Sequence, residues 1–219
     1  TDGHKHGGCD ETDPVDGDAA ALPELRGKFP GHDVGEGWSP PEAEPMQATG
    51  LKRLVLVAGG TGGHIFPAIG LGQCLSSQMP DLEVSYVSGS RPLELEIYGN
   101  AGIEPVFLPC EGSPLGTGGV RAVTRWIQVL RSVRAMTRFF GETKPDACVL
   151  FGGYVSFPAL VAGRIKQVRT LVHEQNAVAG KVTRLAARLG IVPLTGWEAC
   201  EPLSKGQFEE IGVPVRPMK

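Results

Sequence analysis

The amino-acid sequence predicts an α/β fold, a doubly wound parallel sheet with helices on both of its faces. From residue 51 onward, short runs of apolar and β-branched residues alternate with longer segments of helical character, the pattern of βαβ units. Two of these runs end in glycine-rich turns, and ligands of such sheets bind at the carboxyl ends of the strands. The 219 residues, 41% of them apolar, suffice for one such domain and an additional segment.

The individual elements follow from the spacing of the apolar residues. Strands are predicted where short apolar runs lie between turn residues, at 52–58, 83–88, 104–108, 146–151 and 169–173, with a further one near 191–194. Helices are predicted where apolar residues recur at helical spacing, over 66–78, 92–101, 119–141, 156–166 and 178–188. Because a helix separates most successive strands, neighbouring strands are expected to pair in parallel.

Residues 1–49 differ in composition from the remainder. The first 50 residues contain 11 acidic and 3 basic side chains, are rich in Gly and Pro, and have almost no apolar periodicity. Such a segment cannot bury enough apolar surface to fold, so we expect a disordered acidic segment followed by a folded domain over 50–219. His4, His6 and Cys9 are spaced as metal ligands could be, but a solvated tail is the preferred interpretation.

Charge and cysteine content narrow the class of protein. Residues 51–219 carry 13 acidic and 18 basic side chains, which suits an anionic substrate or an anionic membrane surface. No pattern of a nucleic-acid-binding module is present, and no nucleic-acid partner is expected. The five cysteines are odd in number and widely spaced, so we expect reduced thiols and neither a zinc site nor a disulfide framework. No metal and no cofactor are expected. No apolar stretch approaches the roughly 20 residues of a membrane span.

The first glycine-rich turn, Gly59-Gly-Thr-Gly-Gly-His64, is the most informative motif. Its glycines let the backbone approach a ligand, and the N–H groups at the start of the next helix favour a phosphate or diphosphate. A Walker loop would require a lysine that is absent here, and a dinucleotide fingerprint would require glycine where Ile65 stands. The turn therefore indicates a different kind of phosphate site, with His64 placed to move a proton.

Two further motifs follow the predicted strands at 146–151 and 169–173. They are a second glycine turn, Gly152-Gly-Tyr-Val-Ser156, and the polar tetrapeptide His173-Glu-Gln-Asn176. Because carboxyl ends of parallel strands meet at one edge of a sheet, we expect all three motifs to form one site. The helix after Gly152 and Gly153 offers a second position for an anion.

These three motifs resemble the signatures of the MurG family, bacterial glycosyltransferases that add N-acetylglucosamine to lipid I in peptidoglycan synthesis. The resemblance covers about 51–218 and includes Arg91-Pro-Leu-Glu94, Lys144-Pro-Asp146 and Pro214-Val-Arg216. It implies the GT-B architecture, in which two Rossmann-like domains enclose the active site. The chain matches the first, acceptor-side domain, so the resemblance implies a carboxyl-terminal donor-binding domain acting in cis or in trans.

The resemblance also implies an activity and a location. It implies an inverting hexosyltransferase that uses UDP-N-acetylglucosamine and lipid I and is bound peripherally to the cytoplasmic face of the bacterial inner membrane. The chain departs from the family's pattern at two places. It has Gly212-Val213 where the family usually has Gly-Asn near the end, and Val182-Thr183 where the family usually has Thr-Asn after the loop of the polar tetrapeptide.

Roles for single residues follow from the resemblance as well. It implies that Thr61, Gly62 and Gly63 approach the donor and acceptor phosphates. It implies that Asn176 contacts the donor sugar and that Arg216 faces the nucleotide. Further candidates fall on the family's cleft motifs: His64, Gly152, Gly153, Tyr154, Ser156, Glu174 and Gln175.

The chemistry leaves alternatives open at several of these residues. Sugar transfer requires a base for the acceptor hydroxyl, and we predict His64 as this base or its positioning partner, with Glu174 as competitor. His64 could instead only order the glycine turn, and Glu174 could orient His173 or cap the next helix. Tyr154 could contact the lipid diphosphate or pack over the turn, while His173 is expected to be structural. A non-catalytic docking subunit is the alternative function, and an ordinary dinucleotide binder is disfavoured.

The predicted helix over 119–141 has a distinctive composition. Five arginines and no acid are interleaved with apolar and aromatic residues up to Phe140. This composition is typical of a helix that lies in a membrane interface. An ordinary amphipathic helix, with its apolar face on the sheet and its arginines in solvent, is the alternative.

Overall fold

The computed structural model of the chain describes residues 50–112 and 120–214, with the side chains of the third helix described from Val123 onward. The strands are β1 (Arg53–Val57), β2 (Glu83–Ser88), β3 (Val106–Phe107), β4 (Ala147–Leu150), β5 (Arg169–Glu174), β6 (Leu194–Thr195) and β7 (Glu209–Glu210). The helices are α1 (Gly62–Gln78), α2 (Pro92–Asn100), α3 (Val120–Thr143), α4 (Ser156–Lys166) and α5 (Lys181–Arg188).

The strands form one parallel sheet in the order β3-β2-β1-β4-β5-β6-β7. In its centre Leu56 of β1 is aligned with Tyr86 of β2 on one side and with Val149 of β4 on the other. The chain thus leaves β1 in one direction and returns on its other side, which is the topological switch point of a doubly wound sheet. The predicted α/β fold is confirmed, and the switch point predicts a cleft beyond the ends of β1 and β4.

The core lies on both faces of the sheet because its strands alternate their side chains between two helix layers. Val55 and Val57 of β1 join the core under α3, α4 and α5, whereas Leu54 and Leu56 join the core under α1 and α2. The start of the sheet is fixed by Asp146, whose carboxylate accepts the backbone N–H groups of Lys52 and Arg53 at 2.8 Å each. These bonds lower the pKa of the Asp146 carboxyl group.

The boundaries of several elements differ from the predicted ones. Helix α1 begins at Gly62 instead of residue 66, because the carbonyl of Thr61 already accepts the N–H groups of His64 and Ile65. Pro67 therefore lies inside the helix, where it has no N–H for the carbonyl four residues earlier. His64 belongs to the first helical turn and is not part of a free loop.

Two further differences lie near the end of the chain. Helix α5 begins at Lys181, three residues later than predicted, because Ala179 donates its N–H to the carbonyl of Glu201 and Gly180 forms an extended N-cap. Strand β7 was not predicted, since the two glutamates that form it have no apolar pattern. The predicted disorder of residues 1–49, the metal-spaced residues there and Arg216 lie outside the described residues.

Helix α3 has a buried face and an exposed apolar face. The buried face consists of the apolar residues Val129, Met136 and Phe140 together with Ser132. A second face leaves the side chains of Val123, Trp126, Ile127 and Leu130 exposed, at spacings of three and four residues. We call this second set the exposed stripe of α3. Within the described part of the chain, no helix is both long and apolar enough to cross a membrane.

Candidate functional site

A cleft of about 440 Å³ lies at the carboxyl edge of the sheet, next to the switch point. Its polar lining comes from His64 of α1, from the turn from Gly152 to Tyr154, and from Glu174, Asn176 and the start of α5. The remaining lining is apolar and is contributed by α3, α4 and α5: Trp126, Val129, Phe157, Val182 and Leu185.

The first turn of α1 prepares one end of the cleft for an anion. The N–H groups of Gly62 and Gly63 are in the first turn of α1, where a helix supplies no internal acceptor. The N-cap residue Thr61 is exposed, and its hydroxyl lies 3.0 Å from Nδ1 of His64. The helix therefore presents two amides and an oriented imidazole side by side, and its positive end favours a phosphate.

The environment of His64 favours a neutral imidazole. Burial lowers the pKa of His64, while the nearby Glu174 carboxylate and the Gly59 backbone act in the opposite direction. A β carbon at Gly152 would lie 2.9 Å from Nε2 of His64, so this nitrogen lies directly against the second glycine turn. A hydroxyl can donate or accept, so the contact with Thr61 permits either neutral tautomer. A neutral imidazole in a cleft can accept a proton.

The second glycine turn is held mainly by its own bonds. The hydroxyl of Ser156 donates to the Gly152 carbonyl at 2.6 Å and accepts the Gly152 N–H at 3.1 Å. Ser156 is fully buried, so the structure does not bring its hydroxyl to the surface of the cleft. Gly153 packs against the backbone of Gly59, which joins the two glycine turns.

Tyr154 is fixed over the first turn by a residue that was not among the predicted site residues. Its hydroxyl lies 2.9 Å and 2.8 Å from the two carboxylate oxygens of Glu94, which is itself fully buried. Burial and the hydrogen bond to Glu94 raise the pKa of Tyr154. The guanidinium of Arg91 lies 4.6 Å from the centre of the Tyr154 ring. The Pro92 and Glu94 that open α2 are a sequence signal for a helix start, but they do not reveal this long-range contact.

Glu174 accepts four hydrogen bonds and has little exposed surface. Its Oε1 accepts the backbone N–H of Asn176 at 3.1 Å and the side-chain amide of the same residue at 2.8 Å. Its Oε2 accepts the N–H of Gly180 at 2.8 Å and the hydroxyl of Thr183 at 2.6 Å. The carboxylate thus caps α5 and turns the side-chain oxygen of the exposed Asn176 away from itself.

His173 connects β5 with the end of the described chain. Its Nε2 lies 2.8 Å from the carbonyl oxygen of Gly212, and its Nδ1 lies 3.1 Å from Nε2 of Gln175. These partners assign the hydrogen to Nε2, since a carbonyl can only accept it. Burial lowers the pKa of His173, against smaller opposing effects of the Gly212 carbonyl and Glu174. Gln175 also donates to the His173 carbonyl, so its side chain supports this strand end.

The structure brings together about half of the predicted site residues in the cleft lining: His64, Gly152, Gly153, Tyr154, Glu174 and Asn176. Thr61, Gly62 and Gly63 lie beside it at the start of α1, whereas Ser156 and Gln175 bond within their own loops. The apolar lining was not predicted, because apolar residues at helical spacing usually belong to the core. Glu94 was not predicted either, because its contacts are with residues far away in the sequence. Over residues 50–112 and 120–214, no group of His, Cys, Asp and Glu side chains is arranged to hold a metal ion.

A parallel sheet with its cleft at the switch point defines a Rossmann-like ligand-binding domain. The chain belongs to glycosyltransferase family 28, because residues 54–189 match the sequence profile of that family's N-terminal domain.

Relatives of known name agree with the family. The UDP-N-acetylglucosamine--N-acetylmuramyl-(pentapeptide) pyrophosphoryl-undecaprenol N-acetylglucosamine transferase of Carboxydothermus hydrogenoformans is 34% identical over 165 residues, which are 75% of this chain and 44% of that protein. The transferase of the same name from Haemophilus influenzae strain PittGG is 34% identical over 166 residues, 75% of this chain and 45% of that protein. The chain therefore spans less than half the length of these relatives, and its resemblance to the MurG family is confirmed.

Solved structures give the same result. The crystal structure of Acinetobacter baumannii MurG matches with a TM-score of 0.61 at 29% identity, over 76% of this chain and 47% of that chain. The UDP-N-acetylglucosamine 2-epimerase of Rickettsia bellii matches with a TM-score of 0.50 at 14% identity, over 74% of this chain and 45% of that chain. At that identity the epimerase shows a shared fold and nothing about activity.

Proposed function

We propose that this chain forms the acceptor-side half of an inverting N-acetylglucosaminyltransferase. The complete enzyme would transfer N-acetylglucosamine from UDP-N-acetylglucosamine to lipid I. The relatives carry the name of this activity. The observation that carries the proposal is one cleft that unites His64, the second glycine turn and Asn176. A carboxyl-terminal donor-binding domain, in cis or in trans, supplies the opposite side of the site.

His64 is the proposed base. With Nδ1–H donating to the Thr61 hydroxyl, Nε2 keeps a lone pair that accepts the proton of the acceptor hydroxyl. The hydroxyl oxygen then attacks the anomeric carbon of the donor sugar, and the bond from that carbon to the diphosphate breaks. UDP leaves with the electron pair, and the anomeric centre is inverted. The lowered pKa of His64 supports this role, because it favours the neutral imidazole near pH 7.

The remaining cleft residues bind and orient. The N–H groups of Gly62 and Gly63, with the exposed Thr61, are the proposed contacts of a phosphate, and Gly152, Gly153 and Tyr154 form the adjacent wall. Asn176 presents its side-chain oxygen to the donor sugar, held there by Glu174. Ser156 and Gln175 stabilise the loops that carry the binding residues and do not contact the substrate themselves. Arg216 remains the proposed contact of the nucleotide.

The exposed stripe of α3 is the proposed contact with the cytoplasmic face of the bacterial membrane. Trp126 belongs both to this stripe and to the cleft lining, so a lipid-linked acceptor held at the membrane surface could reach the cleft directly. The exposed Arg131 and Arg134 on the same helix favour anionic lipid headgroups.

Complementation with a donor domain tests the function. The chain is combined, as a fusion or as two chains, with the carboxyl-terminal half of Acinetobacter baumannii MurG, and transfer from UDP-N-acetylglucosamine to a lipid I analogue is measured. We expect transfer only when both halves are present. No transfer in a folded, associated pair would contradict the proposal.

The same assay distinguishes the alternative of a non-catalytic docking subunit. A docking subunit that only recruits its partner would support equal transfer with or without His64. We expect the His64→Ala variant to associate with the donor half and to lose transfer, which a docking role does not explain.

A further inference from the structure

A buried carboxylate outside the cleft lining links three loops of the site. Glu94 has no exposed surface, and its Oε1 accepts the N–H of Gly60 from the loop after β1. Its Oε2 accepts the N–H of Arg91 at 2.9 Å in the loop after β2. The hydroxyl of Tyr154, in the loop after β4, lies within hydrogen-bond distance of both oxygens. One side chain thus contacts the loops that follow β1, β2 and β4.

Two glycines leave the space that this carboxylate and its tyrosine partner occupy. A β carbon at Gly59 would lie 2.8 Å from Oε1 of Glu94. One at Gly89 would overlap the Tyr154 hydroxyl and would lie 2.7 Å from Oε2 of Glu94. Neither position can carry a side chain without displacing the pair formed by Glu94 and Tyr154. The sequence therefore places its smallest residue on either side of Glu94, in two separate loops.

Burial makes this arrangement sensitive to each bond. Removing a carboxylate from water is strongly unfavourable unless hydrogen bonds and a nearby positive charge compensate for the lost solvation. Here three donors surround the carboxylate, and the Arg91 guanidinium lies over the ring of Tyr154. If one loop moves away, a buried charge loses a partner, so the three loops are held in one relative position.

We propose that Glu94 is a positioning residue that keeps the first glycine turn and Tyr154 at the spacing required for a phosphate-bearing ligand. It does not touch the ligand. By accepting the Gly60 N–H, it removes that amide from ligand binding and leaves the amides of Gly62 and Gly63 at the start of α1 for the anion. The nature of the ligand rests on the proposed function, whereas the linkage of the loops does not.

Amide NMR of the whole chain, with inorganic diphosphate as the probe, tests this proposal. The variant is Glu94→Gln, which keeps one acceptor oxygen but turns an NH₂ group toward an N–H donor. The control is Glu96→Gln, an exposed glutamate two residues further along α2. We expect Glu94→Gln to shift the amide signals of 59–63 and 152–154 together and to weaken diphosphate binding about tenfold or more. Glu96→Gln should change neither these amide signals nor the affinity for diphosphate.

The spectra and the binding are measured at a temperature where the wild-type chain is folded. Unchanged turn signals and unchanged diphosphate affinity in a folded Glu94→Gln variant would overturn the proposal. If the wild-type chain binds no diphosphate but both turns still shift in the variant, the linkage is upheld and the anion site of the proposed function is rejected. If Glu94→Gln does not fold, Tyr154→Phe removes only the hydroxyl, and we expect the signals of 59–63 to shift in that variant too. Unchanged 59–63 signals there would overturn the proposal.

Discussion

The α carbon of Gly153 faces the carbonyl oxygen of Gly59 without room for a β carbon between them. The two glycine turns thus contact each other through their backbones. Gly153 also has a φ of +78°, a left-handed conformation that side chains disfavour. This backbone contact determines how far apart the starts of α1 and α4 lie on either side of the switch point.

We expect Gly153→Ala to destabilise the protein more than its backbone conformation alone requires. Gly190 is a matched control, since its φ is +79° and nothing lies within 4 Å of a β carbon there. Gly190→Ala should cost about 1–2 kcal/mol, the penalty of the left-handed conformation. Gly153→Ala carries the same penalty and must also separate the two turns. Urea unfolding of both variants measures the difference, and equal costs would contradict the contact.

The reconstituted transferase should lose activity in acid through His64. Because burial lowers the pKa of His64 below its ordinary 6.5, the neutral base persists to lower pH and kcat should fall only below that value. His64→Ala should lower kcat by about 10²–10⁴ and remove this dependence on pH. A pH profile of kcat for both proteins checks this. The same acid limb in His64→Ala would assign the base to another group.

Stability should also depend on pH, through His173. Its pKa is lowered in the folded protein, so the unfolded chain takes up a proton at a higher pH. The contribution of His173 to stability is therefore complete above about pH 6.5, its unfolded pKa, and is lost as the pH falls toward the folded value. His64 acts in the same direction.

His173→Gln provides the comparison for this effect. Glutamine can still donate a hydrogen bond toward the Gly212 carbonyl but does not titrate. We expect the free energy of unfolding to decrease less between about pH 7.5 and 5.5 in the variant than in the wild type. Urea unfolding at both pH values measures it, and an unchanged decrease would mean that His173 does not contribute.

The hydrogen bond from Thr183 to Glu174 should contribute more to the free energy of unfolding than a hydrogen bond to a neutral acceptor does. Thr183→Val keeps the shape of the side chain and removes the hydroxyl that lies 2.6 Å from Oε2. We expect it to cost about 1.5–3 kcal/mol in urea unfolding. Thr170→Val is the control, because the Thr170 hydroxyl donates to the neutral carbonyl of Val168 at 3.0 Å, and should cost about 0.5–1.5 kcal/mol. The reverse order would argue against a buried charged acceptor.

Local sequence patterns predicted most of the fold because the strands and helices carry regular apolar periods. β2 and α4 have the predicted bounds, and the parallel pairing follows from the alternation of strands and helices. The start of α1 was predicted four residues too late. Its first turn contains Gly62 and Gly63, and glycine is a poor helix former, so the sequence does not indicate a helix there. β7 is extended because it pairs with β6, and its sequence has no apolar periodicity that would predict a strand.

The candidate site was less predictable, because its contacts join residues far apart in the chain. The three loops could be predicted from glycine turns and strand ends. Glu94, however, lies 34 residues from Gly60 and 60 from Tyr154, so nothing local in α2 reveals its role. Ser156 shows the opposite error, since a hydroxyl in a glycine turn looks like a ligand contact but closes its own turn.

The exposed stripe of α3 should bind membranes without supporting the fold. Ile127 and Leu130 are 44% and 66% exposed, so Ile127→Ser with Leu130→Ser should change the free energy of unfolding by no more than about 0.5 kcal/mol per site. Flotation with vesicles containing anionic lipid should nevertheless decrease, because these side chains would no longer enter the interface. Ile165→Ser on α4, where the side chain is 58% exposed outside the stripe, is the matched control and should float like the wild type.

The charge on α3 separates two sources of this binding. Arg131→Gln with Arg134→Gln should weaken flotation on anionic vesicles by about 1 kcal/mol per residue and leave binding to neutral vesicles unchanged. The serine variant, in contrast, should lose binding to both kinds of vesicle, because it removes apolar contact that does not depend on headgroup charge. If the serine variant and Ile165→Ser float alike, the stripe is not the membrane contact, and its exposed apolar residues would instead suit another protein surface.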